Sequence, residues 1–235
     1  AGNVSFRVAD INPGSLDGEP RYVELPVRYP RLGGRVLLVT RTGARMRDIA
    51  LRPRENLLLI EVLEGGYQVL AGGGRPTAEL PVHLAIHDML QGSRPEHRAV
   101  LHAHPTALLA FSHLPLRGKM ESLMRLHPET YFHLPEHIRF IPYHIPGSED
   151  LARATVEALE NSRVAIWERH GVIATGGTFA HALDPIEILE KVAQAYMMVA
   201  PVLGSDMSGV GLSSDEIEAT EEAAGRMSVD VPFDR

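Results

Sequence analysis

The first third of the chain is cut into short apolar runs by groups of glycines, and this punctuation limits the possible folds more than any other feature of the sequence. Residues 4–8, 21–26, 35–40, 56–62 and 67–70 read as strands, separated by breaks such as Gly33-Gly34, Gly65-Gly66 and Gly72-Gly73-Gly74. Helical periodicity enters only at residues 79–91, where Leu80, Leu84, Ile86 and Met89 approximate one face and Thr77 is the expected N-cap. A buried strand over 99–104 follows, then a helix from Thr106 and a strand over 139–143. Ser148 caps a helix over 149–159, with Glu149 and Asp150 favourably placed in its first turn. Residues 164–167 form another strand, and 172–175 pair back after the turn at Glu168-Arg169-His170-Gly171. Asp184-Pro185-Ile186-Glu187 offers an N-cap, a proline at the first helical position and a glutamate at the third, so a helix is expected to start there and run to Pro201. A last helix covers 213–225.

Strands outnumber helices and do not alternate with them strictly, which argues against an all-parallel doubly wound sheet. The expected fold is three-layer α/β/α, with a central mixed, mostly antiparallel sheet and helices on both faces. The chain's 235 residues suffice for one domain over 1–235. Ala1-Gly2-Asn3 runs straight into a strand, so the chain is expected to begin inside its domain, with an N-terminal segment missing.

Composition narrows the function. A formal net charge of -7 gives no grip on a phosphate backbone, so nucleic acid is not the expected partner. No apolar run approaches the roughly 18 residues of a membrane helix, so no membrane partner is expected either. There is no cysteine, which removes disulfides and thiol chemistry and leaves any metal to nitrogen and oxygen ligands. A cytoplasmic location fits that usage.

Among the 12 histidines, His102-Ala103-His104 is the informative triplet. In a strand, residues two apart point to one face about 6.5–7 Å apart, close enough for two imidazoles to share a metal. Alone the triplet is weak evidence. His170 also stands where an apolar strand meets a turn, and three neutral imidazoles would leave a zinc one open position for substrate. Taken by itself, His170 reads equally as a turn residue bonded to backbone. Glu79 is either a first-turn glutamate favoured by the helix dipole or a carboxylate that exchanges protons beside the metal. His83 and His87 are four apart on one helix, but Leu84 replaces the glutamate of a metalloprotease pattern, so both are taken as structural. The two lysines, Lys119 in a loop-like stretch and Lys191 on a helix, lack the apolar strand setting that would lower an amine's pKa for Schiff-base chemistry.

With these residues in place, nearly the whole chain resembles the class II aldolase and adducin family, and within it the rhamnulose-phosphate branch. The matching stretches include Gly2-Asn3-Val4-Ser5-Phe6-Arg7, Val39-Thr40-Arg41-Thr42-Gly43 and Thr77-Ala78-Glu79-Leu80-Pro81-Val82-His83. Val100-Leu101-His102-Ala103-His104, Pro128-Glu129-Thr130, Ile145-Pro146-Gly147-Ser148 and Trp167-Glu168-Arg169-His170-Gly171-Val172 follow in the same order. The resemblance implies one zinc per subunit on His102, His104 and His170, with Glu79 as the acid/base residue and Glu129 assisting proton transfer. It places substrate phosphate at Asn3, Thr42, Gly43 and Thr77. Ala78 stands where serine is common, and Arg41 where glycine is usual. The implied reaction is reversible aldol cleavage of a sugar phosphate, rhamnulose 1-phosphate, to dihydroxyacetone phosphate and L-lactaldehyde, by a cytoplasmic homotetramer. A fuculose-phosphate-type aldolase, a ribulose-phosphate 4-epimerase and a non-catalytic adducin-like binding module are the alternatives. Retention of all three histidines speaks against the last.

Overall fold

Nine strands pair into one sheet in a computed structural model that describes residues 2–9, 11, 21–115, 118–203 and 209–230, with side chains to 226. They are β1 (Gly2–Val8), β2 (Arg21–Glu24), β3 (Val36–Thr40), β4 (Leu57–Leu63), β5 (Gly66–Ala71), β6 (Ala99–Ala103), β7 (Arg139–Ile141), β8 (Val164–Trp167) and β9 (Gly171–Gly176). Their order across the sheet is β2-β5-β4-β3-β1-β6-β9-β8-β7, and every neighbouring pair is antiparallel except β7 with β8. The helices are α1 (Met46–Leu51), α2 (Pro53–Asn56), α3 (Leu80–Ser93), α4 (Thr106–Ser112), α5 (Lys119–Met124), α6 (Glu129–His133), α7 (Glu149–Leu159), α8 (Phe179–Leu203) and α9 (Ser214–Asp230). The mixed, mostly antiparallel sheet with helices packed on it is the architecture the sequence implied.

Period-two alternation assigns the two faces. On β6, Ala99 and Leu101 enter a core shared with Leu108, Phe111, Leu189 and Val192 of α4 and α8. Val100, between them, enters the opposite core with Val82, Ile86 and Leu151 of α3 and α7. Each large aliphatic side chain buried in this way contributes about 1.5–3 kcal/mol. Trp167 is 1% exposed in the second core, and its indole N–H donates to Thr155 Oγ1 at 2.9 Å, so the polar edge is satisfied as well. His102 and His104 share the parity of Val100, and Asn3, Ser5 and Arg7 alternate with Val4 on the strand alongside. The face toward α3 is therefore where polar side chains can collect.

Several boundaries differ from the expected ones, each for a local reason. α8 starts at Phe179, five residues before Asp184, because Ala182 N–H donates to the Thr178 carbonyl and His181 N–H to Thr178 Oγ1. Asp184-Pro185 lies inside the helix. Pro185 has no N–H to offer the His181 carbonyl, but Ala182, Pro185, Ile186 and Leu189 are buried, and that packing overrides the local start signal. Thr77 is not the N-cap of α3; Glu79 occupies that position, while Thr77 Oγ1 accepts from Glu79 N–H at 3.3 Å. Ser148 caps α7 as expected, accepting from Leu151 N–H at 3.2 Å. Lys119 is not in a loop but opens α5, donating to Glu168 Oε1 at 2.6 Å. The short helices α1, α2, α5 and α6 carry fewer than seven residues each and leave no periodic signal. Ala1 lies outside the described residues.

Candidate metal centre and adjoining cavity

β6 ends at Ala103, and Pro105 starts the turn into α4, so His102 and His104 project from a strand end. The third histidine comes from the β8–β9 hairpin. His170 N–H closes that turn on the Trp167 carbonyl at 3.0 Å. Arg169 takes a left-handed conformation, φ 63°, which is costly for a side chain with a Cβ. Its N–H donates to Ser112 Oγ at 2.9 Å and its guanidinium lies 5.4 Å from the Tyr143 ring centroid. Glu168 is held by Lys119 on the same turn, so neighbouring elements over-determine the strained residue next to His170. Gly171 must be glycine: a Cβ there would lie 2.5 Å from the Ala103 carbonyl oxygen and 2.9 Å from His102 Cε1.

Ligand nitrogens of His102, His104 and His170 all fall within 4.8 Å of one another. His102 Nδ1 faces the Val172 carbonyl at 2.9 Å, and a carbonyl can only accept. The Nδ1–H is therefore committed to Val172, and neutral His102 directs the Nε2 lone pair toward His104 Nε2, 2.8 Å away. Backbone orientation of one imidazole nitrogen so that the other is free is the usual support of a metal ligand. Burial brings His102 down to about 3, against the pull of Glu79, and lowers His104 as well, so both stay neutral and able to ligate. His170 Nδ1 is buried without a hydrogen-bond partner. An all-nitrogen set of three imidazoles fits a divalent cation of the zinc type.

Glu79, 8% exposed, completes the group from the start of α3. Its Oε1 lies 3.1 Å from His170 Nε2 and its Oε2 3.5 Å from His102 Nε2. Burial pushes this carboxyl up, but the His170 and Asn3 hydrogen bonds and the adjacent imidazoles outweigh it and bring it to about 2. It is a carboxylate at neutral pH. Asn3 Nδ2 donates to Glu79 Oε2 at 2.6 Å.

Beside this group lies a cavity of about 270 Å³ lined by Asn3, Arg41, Thr42, Gly43, Thr77 and Glu79, among others. The four residues expected at a phosphate thus meet around one space, next to Glu79. Gly43 turns the chain with φ 80° after β3, a conformation open to glycine at no steric cost. Thr42 Oγ1 already donates to the Pro76 carbonyl, and Arg41 is the one cationic side chain on the lining among the described residues, with its Nε buried and unpartnered. Glu129 is not brought into this group. It opens α6, half-exposed, and accepts from Lys191 Nζ at 2.5 Å with His127 nearby. A larger depression, about 730 Å³ beside Tyr29, Met89 and Ala152, holds none of the candidate residues. His83 and His87, which the sequence suggests are structural, are both fully enclosed; His83 bonds Asn3 directly, and His87 is linked to it through Ser5 and His83.

The profile of the family described as Class II Aldolase and Adducin N-terminal domain matches residues 1–197. The chain belongs to the class II aldolase and adducin family, as a lyase of the class II aldolase type. Among its relatives, the rhamnulose-1-phosphate aldolase of Bacteroides thetaiotaomicron is 32% identical over 223 residues, covering 89% of this chain and 81% of that protein. That of Listeria monocytogenes serovar 1/2a is 32% identical over 235 residues, covering 95% and 85%. A sugar-phosphate aldolase crystal structure from Thermotoga maritima is 34% identical, covers 89% of each chain and superposes with a TM-score of 0.78. No helix among the described residues is long and apolar enough to cross a membrane.

Proposed function

We propose that this site carries out zinc-dependent, reversible retro-aldol cleavage of L-rhamnulose 1-phosphate to dihydroxyacetone phosphate and L-lactaldehyde. The observation that carries the reading is the convergence of three imidazole nitrogens with the Glu79 carboxylate at the edge of a small cavity that also gathers Asn3, Thr42, Gly43 and Thr77. The relatives named above support the substrate class.

Cleavage breaks the C3–C4 bond. The C4 hydroxyl loses its proton and becomes the aldehyde, while the bonding pair stays on C3, conjugated with the C2 ketone, until C3 is protonated. A zinc ion held by His102, His104 and His170 would supply Lewis-acid stabilisation of the charge that develops on the ketone side. Glu79 exchanges the proton at C3; such a group contributes about 10²–10⁴ in rate. Asn3, Thr77 and the Thr42-Gly43 turn hold the phosphate, and Arg41 adds positive charge and donors where the Thr42 hydroxyl proton is already given to Pro76. Glu129 is the proposed second proton carrier, on the strength of the resemblance. The same reading makes the enzyme a cytoplasmic homotetramer of rhamnose metabolism.

The test is condensation of dihydroxyacetone phosphate with L-lactaldehyde by purified protein, before and after chelation and zinc re-addition. Formation of rhamnulose 1-phosphate that the chelator abolishes and zinc restores is the expected result. Zinc-loaded protein that makes no product with this or other short aldehydes would sink the aldolase reading and bring an epimerase or a binding role forward.

A further inference from the structure

Behind the Glu79 carboxylate runs a line of hydrogen bonds with no charged member and no surface outlet. Asn3 Nδ2 meets Glu79 Oε2 at 2.6 Å, Asn3 Oδ1 meets His83 Nε2 at 2.5 Å, His83 Nδ1 meets Ser5 Oγ at 2.7 Å, and Ser5 Oγ meets His87 Nε2 at 2.9 Å. Ser5, His83 and His87 are each at most 1% exposed. Burial brings His83 to about 4, so at neutral pH each imidazole carries one proton and has one donor and one acceptor nitrogen.

Those constraints allow two proton arrangements. In the first, Asn3 turns its amide N–H to Glu79 and its carbonyl to His83. His83 must then be protonated at Nε2, Ser5 must donate to His83 Nδ1, and His87 must donate from Nε2 to Ser5. The line ends on His87 Nδ1, a bare lone pair with no partner. In the reverse arrangement every donor becomes an acceptor. The Asn3 carbonyl would then face the Glu79 carboxylate at contact distance, and His87 would bury an unpaired N–H, which costs about 1–3 kcal/mol. His87 Nδ1 lacks a partner in either order, so it is the Glu79 end that rejects the reverse one, and each link transmits the choice to the next.

We propose that Ser5, His83 and His87 are positioning residues that lock the Asn3 amide with its N–H toward Glu79, and so hold the carboxylate in one orientation beside the histidine cluster. This rests on the reading of Glu79 as the proton-exchanging group. An asparagine amide is nearly symmetric in shape, so packing alone does not choose its orientation; the Glu79 carboxylate on one side and the His83 Nε2–H on the other choose it together. Histidines 80 and more residues from Asn3 in sequence thus act on the site through a polarised line rather than by touching substrate.

The test has a spectroscopic and a kinetic arm. Long-range ¹H–¹⁵N spectra of the imidazoles should find His83 and His87 both as Nε2–H tautomers; a wild-type His83 protonated at Nδ1 overturns the proposal. His83→Gln places an amide N–H near the lost Nε2–H and should keep kcat within about threefold of wild type. His83→Leu fills the space without a donor and should lower kcat about 10²-fold, the penalty of a misplaced reacting group, with bound zinc unchanged. Equal losses in the two variants, or none in His83→Leu, would make His83 a core filler and refute the relay. If His83→Leu does not fold, Ser5→Ala replaces it: a shift of the His83 tautomer together with a lower kcat supports the relay, and neither change refutes it. A wild-type protein with no aldolase activity defeats the proposed function, while the tautomer spectrum still decides the relay.

Discussion

Glu79 and Glu129 are the two carboxylates on which proton transfer was expected to rest, and the fold treats them in opposite ways. Glu79 is buried, faces two imidazoles and an amide, and is held far below the usual carboxylate range, to about 2. Glu129 is half-exposed on a five-residue helix, and its carboxyl is lowered by the Lys191 hydrogen bond. The first is fixed by tertiary structure and backed by the polar line through Asn3. The second is held by an exposed lysine with His127 nearby. Similar promise in sequence does not translate into similar preorganisation.

The contrast can be broken or sharpened, starting where the largest effect is expected. His102→Ala removes a proposed metal ligand that is wholly buried and oriented by Val172, so bound zinc per chain, read by atomic absorption, should fall towards zero and turnover with it. Glu79→Gln should retain the metal and lower kcat by about 10²–10⁴-fold; a smaller loss would remove Glu79 from its role. The buried histidines behind Glu79 predict an acid weakness. His83 sits at about 4 in the fold against 6.5 when exposed, so the unfolded chain binds the extra proton first. The stability tied to its neutral form is complete above pH 6.5 and lost as pH falls to about 4. That loss is about 3 kcal/mol, readable as a falling urea midpoint. Arg41→Ala should raise KM for the phosphorylated substrate by about tenfold at unchanged kcat, as expected for one charge-assisted contact. Glu129→Gln should change stability by less than about 0.5 kcal/mol, since exposed ion pairs contribute little. Its kcat should fall less than that of Glu79→Gln, and an equal fall would erase the distinction.

The cluster of three histidines was the most legible part of the candidate site. His102 and His104 announce themselves because strand periodicity puts residues two apart on one face, and His170 because an apolar strand ends there. The sheet was legible for a related reason: alternation and glycine breaks are local signals. What the sequence hid was whatever depends on distant partners. Asp184-Pro185 carries a complete helix-start signature, yet α8 begins at Phe179 because the buried face of the helix prevails. Lys119 looked like a loop residue until α5 delivered it to Glu168, 49 residues away. His83 reads as ordinary core unless its link to Asn3, across 80 residues, is known.

The histidines also make the register of the sheet measurable. His102 pairs opposite Ile173 and Ala103 opposite Val172, while His170 hangs from the turn that leads into β9. Sliding β6 by a single residue against β9 would carry His102 and His104 to the other side of the sheet and leave His170 behind. With a metal held by the three histidines as proposed, its affinity is a ruler graduated in single residues. Any substitution that lets these two strands pair out of step should be felt as lost metal before it is felt as a lost fold.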